Sequence, residues 1–356
     1  MTSRERVIAA LAHRESDIVP FSLGFGINYP AKAELAKYMK IEMGELDRLL
    51  GSVSDIRHVG PKYIGPKTRN IGLPGGSHMD AWGVIRSPVK NERDTYMEIS
   101  HYPLSHMKDA EELEGYMFPK LDWFDFSDIP GQIEAHNKHG EYAIMASGGN
   151  IFEASWYMRG FENMFSDLLE EREFARRLLE KVTDYFVGFS RKILEAANGK
   201  IDLVFTADDI GGQNGLLISP PLWEEMLKPF HKRLNETIHE GGAKVIYHSD
   251  GAVMEAVEGL VDMGIDVLEA LQFDAAGMDP SKLKETAGDR LCFHGGVSVQ
   301  STLPFGTPEE VEAEVKERIK ILGKNGGYIL APSHAIQAGT PPENICAFLK
   351  AAGRLF

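Results

Sequence analysis

The sequence predicts an α/β protein folded as a single (β/α)8 TIM barrel with a small β-rich insertion near residues 60–104, and three observations carry that expectation. Short apolar runs rich in β-branched and aromatic residues alternate with longer stretches of helical period, as βα units require. Eight such runs occur, the number a closed barrel uses. Each reads almost continuously apolar, as strands covered on both faces do. A doubly wound sheet is the competing architecture, because strand order cannot be read from sequence. Barrels of this kind regularly occupy a chain of 356 residues as one unit, so residues 1–356 are expected to form one domain.

Taken in order, Thr2-Ser3-Arg4-Glu5 has the form of a capping box and opens an amphipathic helix. Apolar runs follow at 18–23 and 53–59, and then glycines, prolines and an alternating stretch (Tyr96-Met-Glu-Ile-Ser-His-Tyr) interrupt the βα pattern as an insertion. The runs resume at 142–147, 201–206, 243–248, 267–271, 291–294 and 328–331. Helices lie between them at 161–197, broken near Glu170, and at 220–239, where Ser219 is the expected N-cap and prolines fall in the first turn. Thr307-Pro308-Glu309-Glu310 opens another, with acidic residues at the positive end of its dipole. Gly199, Gly241-Gly242, Gly264, Gly288 and Gly326-Gly327 stand where helices end.

Composition narrows the function. The 38 basic and 53 acidic residues give a net charge of −15, and no Lys/Arg run offsets it, so nucleic acid and anionic membranes are not expected partners. The two cysteines, Cys292 and Cys346, are too few for a disulfide framework or a multi-cysteine zinc site and fit a reducing cytoplasm. Neither an export signal nor a run of ~18 apolar residues is present, so no membrane span is expected.

Barrel enzymes place their reacting groups where strands end, and the residues following these runs are unusually polar. They are Asp208 and Asp209, His248-Ser-Asp250, Glu269, His294 and Ser333-His334. His248 and Asp250 are two apart and so face one side of an extended segment. With His334 they make a two-imidazole, one-carboxylate set that suits Zn(II) and equally serves non-haem Fe(II). The strongly βα pattern favours zinc over the iron oxygenases, which are β-sandwich proteins. Alone, His248-Ser-Asp250 reads just as well as a hydrogen-bonded loop cap, and Asp208-Asp209 before glycines as an ordinary turn. The glycine spacings match neither a dinucleotide fingerprint nor a P-loop. Isolated His13, His58, His101 and His106 are expected to be structural or on the surface, and Phe21, Phe25, Tyr29, Trp156 and Phe273 are candidate pocket walls.

Over nearly its full length the chain resembles the uroporphyrinogen decarboxylase superfamily. The resemblance rests on Arg4-Glu-Arg-Val, Asp17-Ile-Val-Pro20, Asp80-Ala-Trp-Gly-Val, Asp208-Asp209, Ser219-Pro-Pro with Leu227-Lys-Pro-Phe-His231, His248-Ser-Asp-Gly251, Gly264-Ile-Asp266, Gly295-Gly296-Val and Thr340-Pro-Pro-Glu-Asn344, in that order. It implies a (β/α)8 barrel and one of two activities: cofactor-free porphyrinogen decarboxylation, or zinc-dependent methyl transfer with a corrinoid protein. The decarboxylase branch carries an Arg-Gln-Ala-Gly-Arg run after the first strand, whereas this chain reads Phe21-Ser-Leu-Gly-Phe-Gly-Ile-Asn28, with no cation for a polycarboxylate.

The methyltransferase branch carries a His-x-Cys pair and a distant Cys as zinc ligands. The resemblance lays His248 on the histidine, Asp250 on the first cysteine and His334 on the second, each departure being another zinc-competent residue. One carboxylate and two neutral imidazoles leave zinc with net positive charge, a stronger Lewis acid than a dithiolate site would give. The resemblance therefore implies a zinc methyltransferase that moves a methyl group from a small methylated or methoxylated compound to the cobalt of a partner corrinoid protein. Asp208, Asp209, Glu269 and His294 are its further candidate catalytic residues, the last two as extra ligands or as groups that orient the metal-bound imidazoles. The alternatives are a cofactor-free decarboxylase and a non-catalytic ligand-binding barrel. An exposed first-strand region leaves room for a homodimer.

Overall fold

In the computed structural model, which describes residues 1–91 and 94–355, seven strands form one parallel sheet. They are β1 (Ile56–Val59), β2 (Ala143–Asn150), β3 (Leu203–Ala207), β4 (Lys244–His248), β5 (Val267–Ala270), β6 (Cys292–Val297) and β7 (Tyr328–Pro332). They lie side by side in chain order, which excludes the doubly wound alternative, whose order reverses at a switch point.

The sheet curls until its edges meet at Phe21. Leu330 N donates to Pro20 O at 2.8 Å, Ser22 N to Leu330 O at 2.9 Å, and Asp55 N to Phe21 O at 2.8 Å. The run expected as a strand at 18–23 is thus reduced to one bridging residue. Pro20 has no N–H to extend the ladder, and the Phe21 N–H is taken by the Asp55 carboxylate at 2.8 Å.

The barrel floor is apolar. Val7 and Ala10 of the first helix (Ser3–Leu11, opened by the Thr2–Glu5 capping box) plug it against Ile56, Ala143, Met145, Leu203, Ile246, Val267, Cys292 and Ile329. Burying such side chains stabilises by roughly 1.5–3 kcal/mol each for the larger aliphatics. Around this floor three aspartates, each the residue just before a strand, accept a neighbouring backbone N–H. Asp55 takes that of Phe21, Asp202 that of Ile144 at 2.9 Å and Asp266 that of Val245 at 2.8 Å. Each also meets a cation: Arg354, Arg4 and Lys244 respectively.

Outside the strands, helices cover a second and larger core. The longest, Arg172–Ala197, follows the break expected near Glu170 and buries a stripe that includes Leu178, Leu179, Val182, Phe186 and Ile193. The helix expected at 220–239 is divided into Pro220–Met226 and Lys228–Glu240, since Pro229 cannot donate to the preceding turn. Ser219 occupies the N-cap position without a side-chain hydrogen bond, whereas Thr307 forms a complete capping box with Glu310. The insertion is a four-stranded antiparallel sheet of Ile71–Gly72, His78–Met79, Ile85–Lys90 and Thr95–His101. No helix among the described residues is long and apolar enough to cross a membrane.

Candidate metal centre and its cavity

Pairing in the sheet sets the site. His248 is opposite Glu269, and Glu269 is opposite His294, so three adjacent strands present these side chains in one row. In a parallel ladder paired residues face the same way, and here that way is the upper end of the barrel interior. His248 and Glu269 are buried, and His294 is 1% exposed.

Beyond β4 the chain is pinned tightly. Ser249 N donates to Glu269 O at 2.9 Å, Asp250 N to Asp209 Oδ1 at 2.8 Å, and Gly251 N to Gln272 Oε1 at 2.9 Å. Gly251 has φ +83°, and a Cβ there would lie 2.6 Å from the backbone of Gly211 and Gly212. The glycines after β3 therefore serve a backbone-to-backbone approach that holds Asp250 beside Asp209.

His248, Asp250 and His334 converge, each offering one ligand atom within 4.8 Å of the others. Asp250 stands 3.9 Å from Nε2 of His248 and 3.9 Å from Nε2 of His334, too far for hydrogen bonds. The groups thus surround a gap instead of bonding across it. On the far side of His248, Nδ1 faces Glu269 Oε2 at 3.5 Å, and the other oxygen of Glu269 lies 3.3 Å from Nδ1 of His294. Phe25 packs edge-on to His248 at 4.9 Å and against His334 at 4.8 Å, fixing both rings.

Charge around the gap is mostly negative. Burial opposes a charge on His248, but Glu269, Asp250 and Asp209 outweigh it and push the imidazole up to about 9. Burial likewise works against the Glu269 carboxylate, yet His248 and His294 hold it well below the usual range. Asp250 is raised by burial, against the pull of His248 and His334. The carboxylates of Asp209, Asp250 and Glu269 give the gap a field that favours a cation.

A cavity of about 450 Å³ opens beside the three converging groups. Phe25, Phe205, Asp209, His248 and His334 line it together with Asn150, Glu153 and Tyr157, and no lysine or arginine among the described residues does. Of the expected walls only Phe25 takes part. Phe21 is core, packed on Phe348 at 5.3 Å; Phe273 meets Arg318 elsewhere; Tyr29 is 75% exposed; and Trp156 does not reach the cavity.

The adjacent aspartates diverge. Asp209 lines the cavity, whereas Asp208 is buried and spends its carboxylate on the helix Ile151–Arg159, accepting from Phe152 N at 2.7 Å and Glu153 N at 2.8 Å. His231 Nε2 pairs with the same carboxylate. Asp208 therefore anchors a helix instead of standing over the mouth.

His58, expected to be structural or on the surface, sits on β1 two residues after the floor residue Ile56 and opposite Met145, which places it on the lumen side. Burial lowers its pKa, with Glu269 acting against that shift. Glu153 was not among the expected site residues. Applying to β2 the same strand-end rule used elsewhere would have led to Asn150 and, three residues on, to Glu153.

The uroporphyrinogen decarboxylase (URO-D) family model matches residues 89–355. Methylated-thiol–coenzyme M methyltransferase of Methanosarcina mazei is 27% identical over 200 residues, 56% of this chain and 50% of that protein. Methylcobamide:CoM methyltransferase of Methanosarcina barkeri is 25% identical over 205 residues, 54% of this chain and 56% of its own. The chain spans about half the length of these two relatives. Uroporphyrinogen decarboxylases match as well. Among solved structures, a methyltransferase from Methanosarcina mazei superposes with a TM-score of 0.71 at 20% identity, covering 99% of this chain and 98% of that one. This likeness establishes the barrel.

Proposed function

The chain belongs to the uroporphyrinogen decarboxylase family, and from that premise we propose that it is a zinc-dependent methyltransferase. It takes a methyl group from a small methylated or methoxylated compound and delivers it to the cobalt of a separate corrinoid protein. The observation that carries this reading is the convergence of His248, Asp250 and His334 around a gap at the mouth of an open cavity. Methyltransferases among the relatives support it, one of them named for a methylcobamide.

In this reading the three side chains hold one zinc ion. When bound, the metal supplies a Lewis acid of net positive charge, because one carboxylate and two neutral imidazoles leave a divalent ion under-neutralised. Glu269 faces Nδ1 of His248 and so directs Nε2 toward the gap, while His294 braces the carboxylate from behind. Asp209 fixes the backbone of Asp250. Phe25 packs on both imidazoles and limits their rotation. Asp208 acts at one remove, through the helix it anchors.

The whole chain works as one unit in the cytoplasm, with the corrinoid protein as partner and room for a second copy as a homodimer. Porphyrinogen decarboxylation is the weaker reading, since no cation among the described residues that line the cavity meets a polycarboxylate.

The test is incubation of the zinc-loaded protein with a Co(I) corrinoid protein and a panel of methoxyarenes, methylamines and methylthiols, following the methylcobalt spectrum. Methyl transfer from one donor class is expected. Silence across the panel, together with tight binding of a porphyrin by metal-free protein, overturns the proposal in favour of the decarboxylase.

A further inference from the structure

Glu153 and Tyr157 stand apart from the converging groups and have no part in holding a metal, yet both line the same cavity. They sit one turn apart on the helix Ile151–Arg159, a spacing that lets their side chains meet. Tyr157 donates its hydroxyl to Glu153 Oε1 at 2.6 Å. Asn150 Nδ2 reaches Oε2 only at 3.4 Å, which leaves that oxygen the freer of the two. The backbone N–H of Glu153 is already satisfied by Asp208, so the Glu153 side chain is not needed to cap its own helix. Arg86, reaching over from the insertion and fixed to Asp80 at 2.8 Å, lies 4.9 Å above the Tyr157 ring.

We propose that Glu153, positioned by Tyr157, is the acid that protonates the oxygen released when the methyl group departs, so that the site is built for oxygen-linked methyl donors. The inference rests on the methyl-transfer reading and deepens it. An alkoxide or phenolate is a poor leaving group unless its charge is quenched, whereas a thiolate leaves without help. A carboxylic acid facing the donor across the cavity supplies that need.

The step balances. The C–O bond breaks with its electron pair on oxygen. The Co(I) centre of the corrinoid partner gives the pair that forms the new Co–C bond and is thereby oxidised to Co(III). The Glu153 proton passes to the oxygen, and the carboxylate left behind is reprotonated from water at the open mouth.

The surroundings keep the acid loaded near neutrality. Burial is the largest influence, and the negative charges of Asp208 and Asp209 add to it. The Tyr157 hydrogen bond and His248 act in the opposite sense, and the carboxyl comes to about 7. Tyr157 itself is pushed far above the phenol range, first by burial and then by Glu153, and so remains a donor.

The experiment compares wild type, Glu153→Gln and Tyr157→Phe, each with its zinc content measured. Single-turnover transfer to the Co(I) corrinoid protein is followed with aryl methyl ethers of graded phenol acidity. Glu153→Gln should slow the least activated ethers by roughly 10²–10⁴-fold and leave the most activated ones nearly unchanged. Wild-type transfer should decline as pH rises through about 7, and the variant should lose that decline.

A second readout needs no turnover. The infrared carbonyl band of a protonated carboxyl should titrate near neutrality in wild type, be absent from Glu153→Gln, and shift in Tyr157→Phe. An equal loss across all ethers, no loss, or no such band overturns the proposal. Transfer from thiols or amines but from no ether overturns it while sparing the methyl-transfer reading, and transfer from no donor overturns both.

Discussion

Two levels of the same barrel, separated by one strand repeat of about 6.6 Å, differ in almost every physical respect. The floor holds Ile246, Val267 and Cys292; two residues along the same strands, on the same face, stand His248, Glu269 and His294. At the floor the side chains are apolar, and the one thiol, Cys292, donates to the Phe293 carbonyl at 3.9 Å. One level up, His248 Nδ1, Glu269 Oε2 and both ring nitrogens of His294 are buried without a hydrogen bond that meets normal geometry. They meet as ion pairs instead, His248 Nδ1 to Glu269 Oε2 at 3.5 Å and His294 Nδ1 to Glu269 Oε1 at 3.3 Å, and the apolar level beneath helps offset the cost of burying them. A fold can thus keep a buried charged row behind a ligand site because the row beneath it is apolar.

The sharpest way to break this contrast is to move mouth chemistry down one level. Ile246→Asp would place a carboxylate among Val7, Leu203 and Val267 with no partner, a change expected to cost more than ~4 kcal/mol. Urea denaturation followed by circular dichroism should find little folded protein at neutral pH, and a normal unfolding midpoint would show the floor to be more adaptable than its packing implies. At the mouth, His334→Ala should change stability by no more than ~0.5 kcal/mol, since the side chain is 39% exposed. It should nevertheless abolish zinc retention after dialysis, measured by elemental analysis. Full zinc occupancy in that variant would remove His334 from the ligand set.

A stability loss smaller than that of Ile246→Asp concerns the rim of the floor. Burial tends to raise the Asp266 carboxyl, but His239, Lys244 and the Val245 N–H together lower it below its ordinary value. Its contribution is therefore present above the unfolded value near 3.8 and is lost as pH falls through the lower folded one. Asp266→Asn should cost about 1.5–3 kcal/mol at neutral pH and flatten the acid limb of the stability curve. Least of all should be seen at Cys292, whose thiol burial pushes up to about 12. Alkylating reagents should leave it untouched in the native protein and modify it on unfolding; rapid native labelling would mean that the floor opens.

The contrast also explains which parts of the molecule were legible in the sequence. Continuous apolar runs announced the strands, and the polar residue at the end of each announced the mouth, so His248, Asp250 and His334 could be grouped without knowing any distance. Pairing register could not be read, because it depends on how neighbouring strands slide, and register is what puts His248, Glu269 and His294 in one row. Asp208 and Asp209 were indistinguishable as a pair; their opposite directions are set by a helix terminus 55 residues away in sequence. His58 is exposed, as expected, but a lone histidine in a short run gives no hint that it faces the lumen. Glu153 escaped notice because it belongs to a helix, one turn past the strand that delivers it.

Barrel closure at Phe21 has a consequence in time. The segment that completes the ring is made long before its partner Leu330; the same edge is sealed by Arg354 on Asp55, a pairing across 299 positions. At ~5–20 residues per second, a ribosome needs roughly 15–60 s to synthesise the interval. Throughout that period the Phe21 segment lacks the partner that Leu330 later supplies. A nascent chain halted before β7 therefore keeps the barrel unclosed, and limited proteolysis should cut it faster than the full chain.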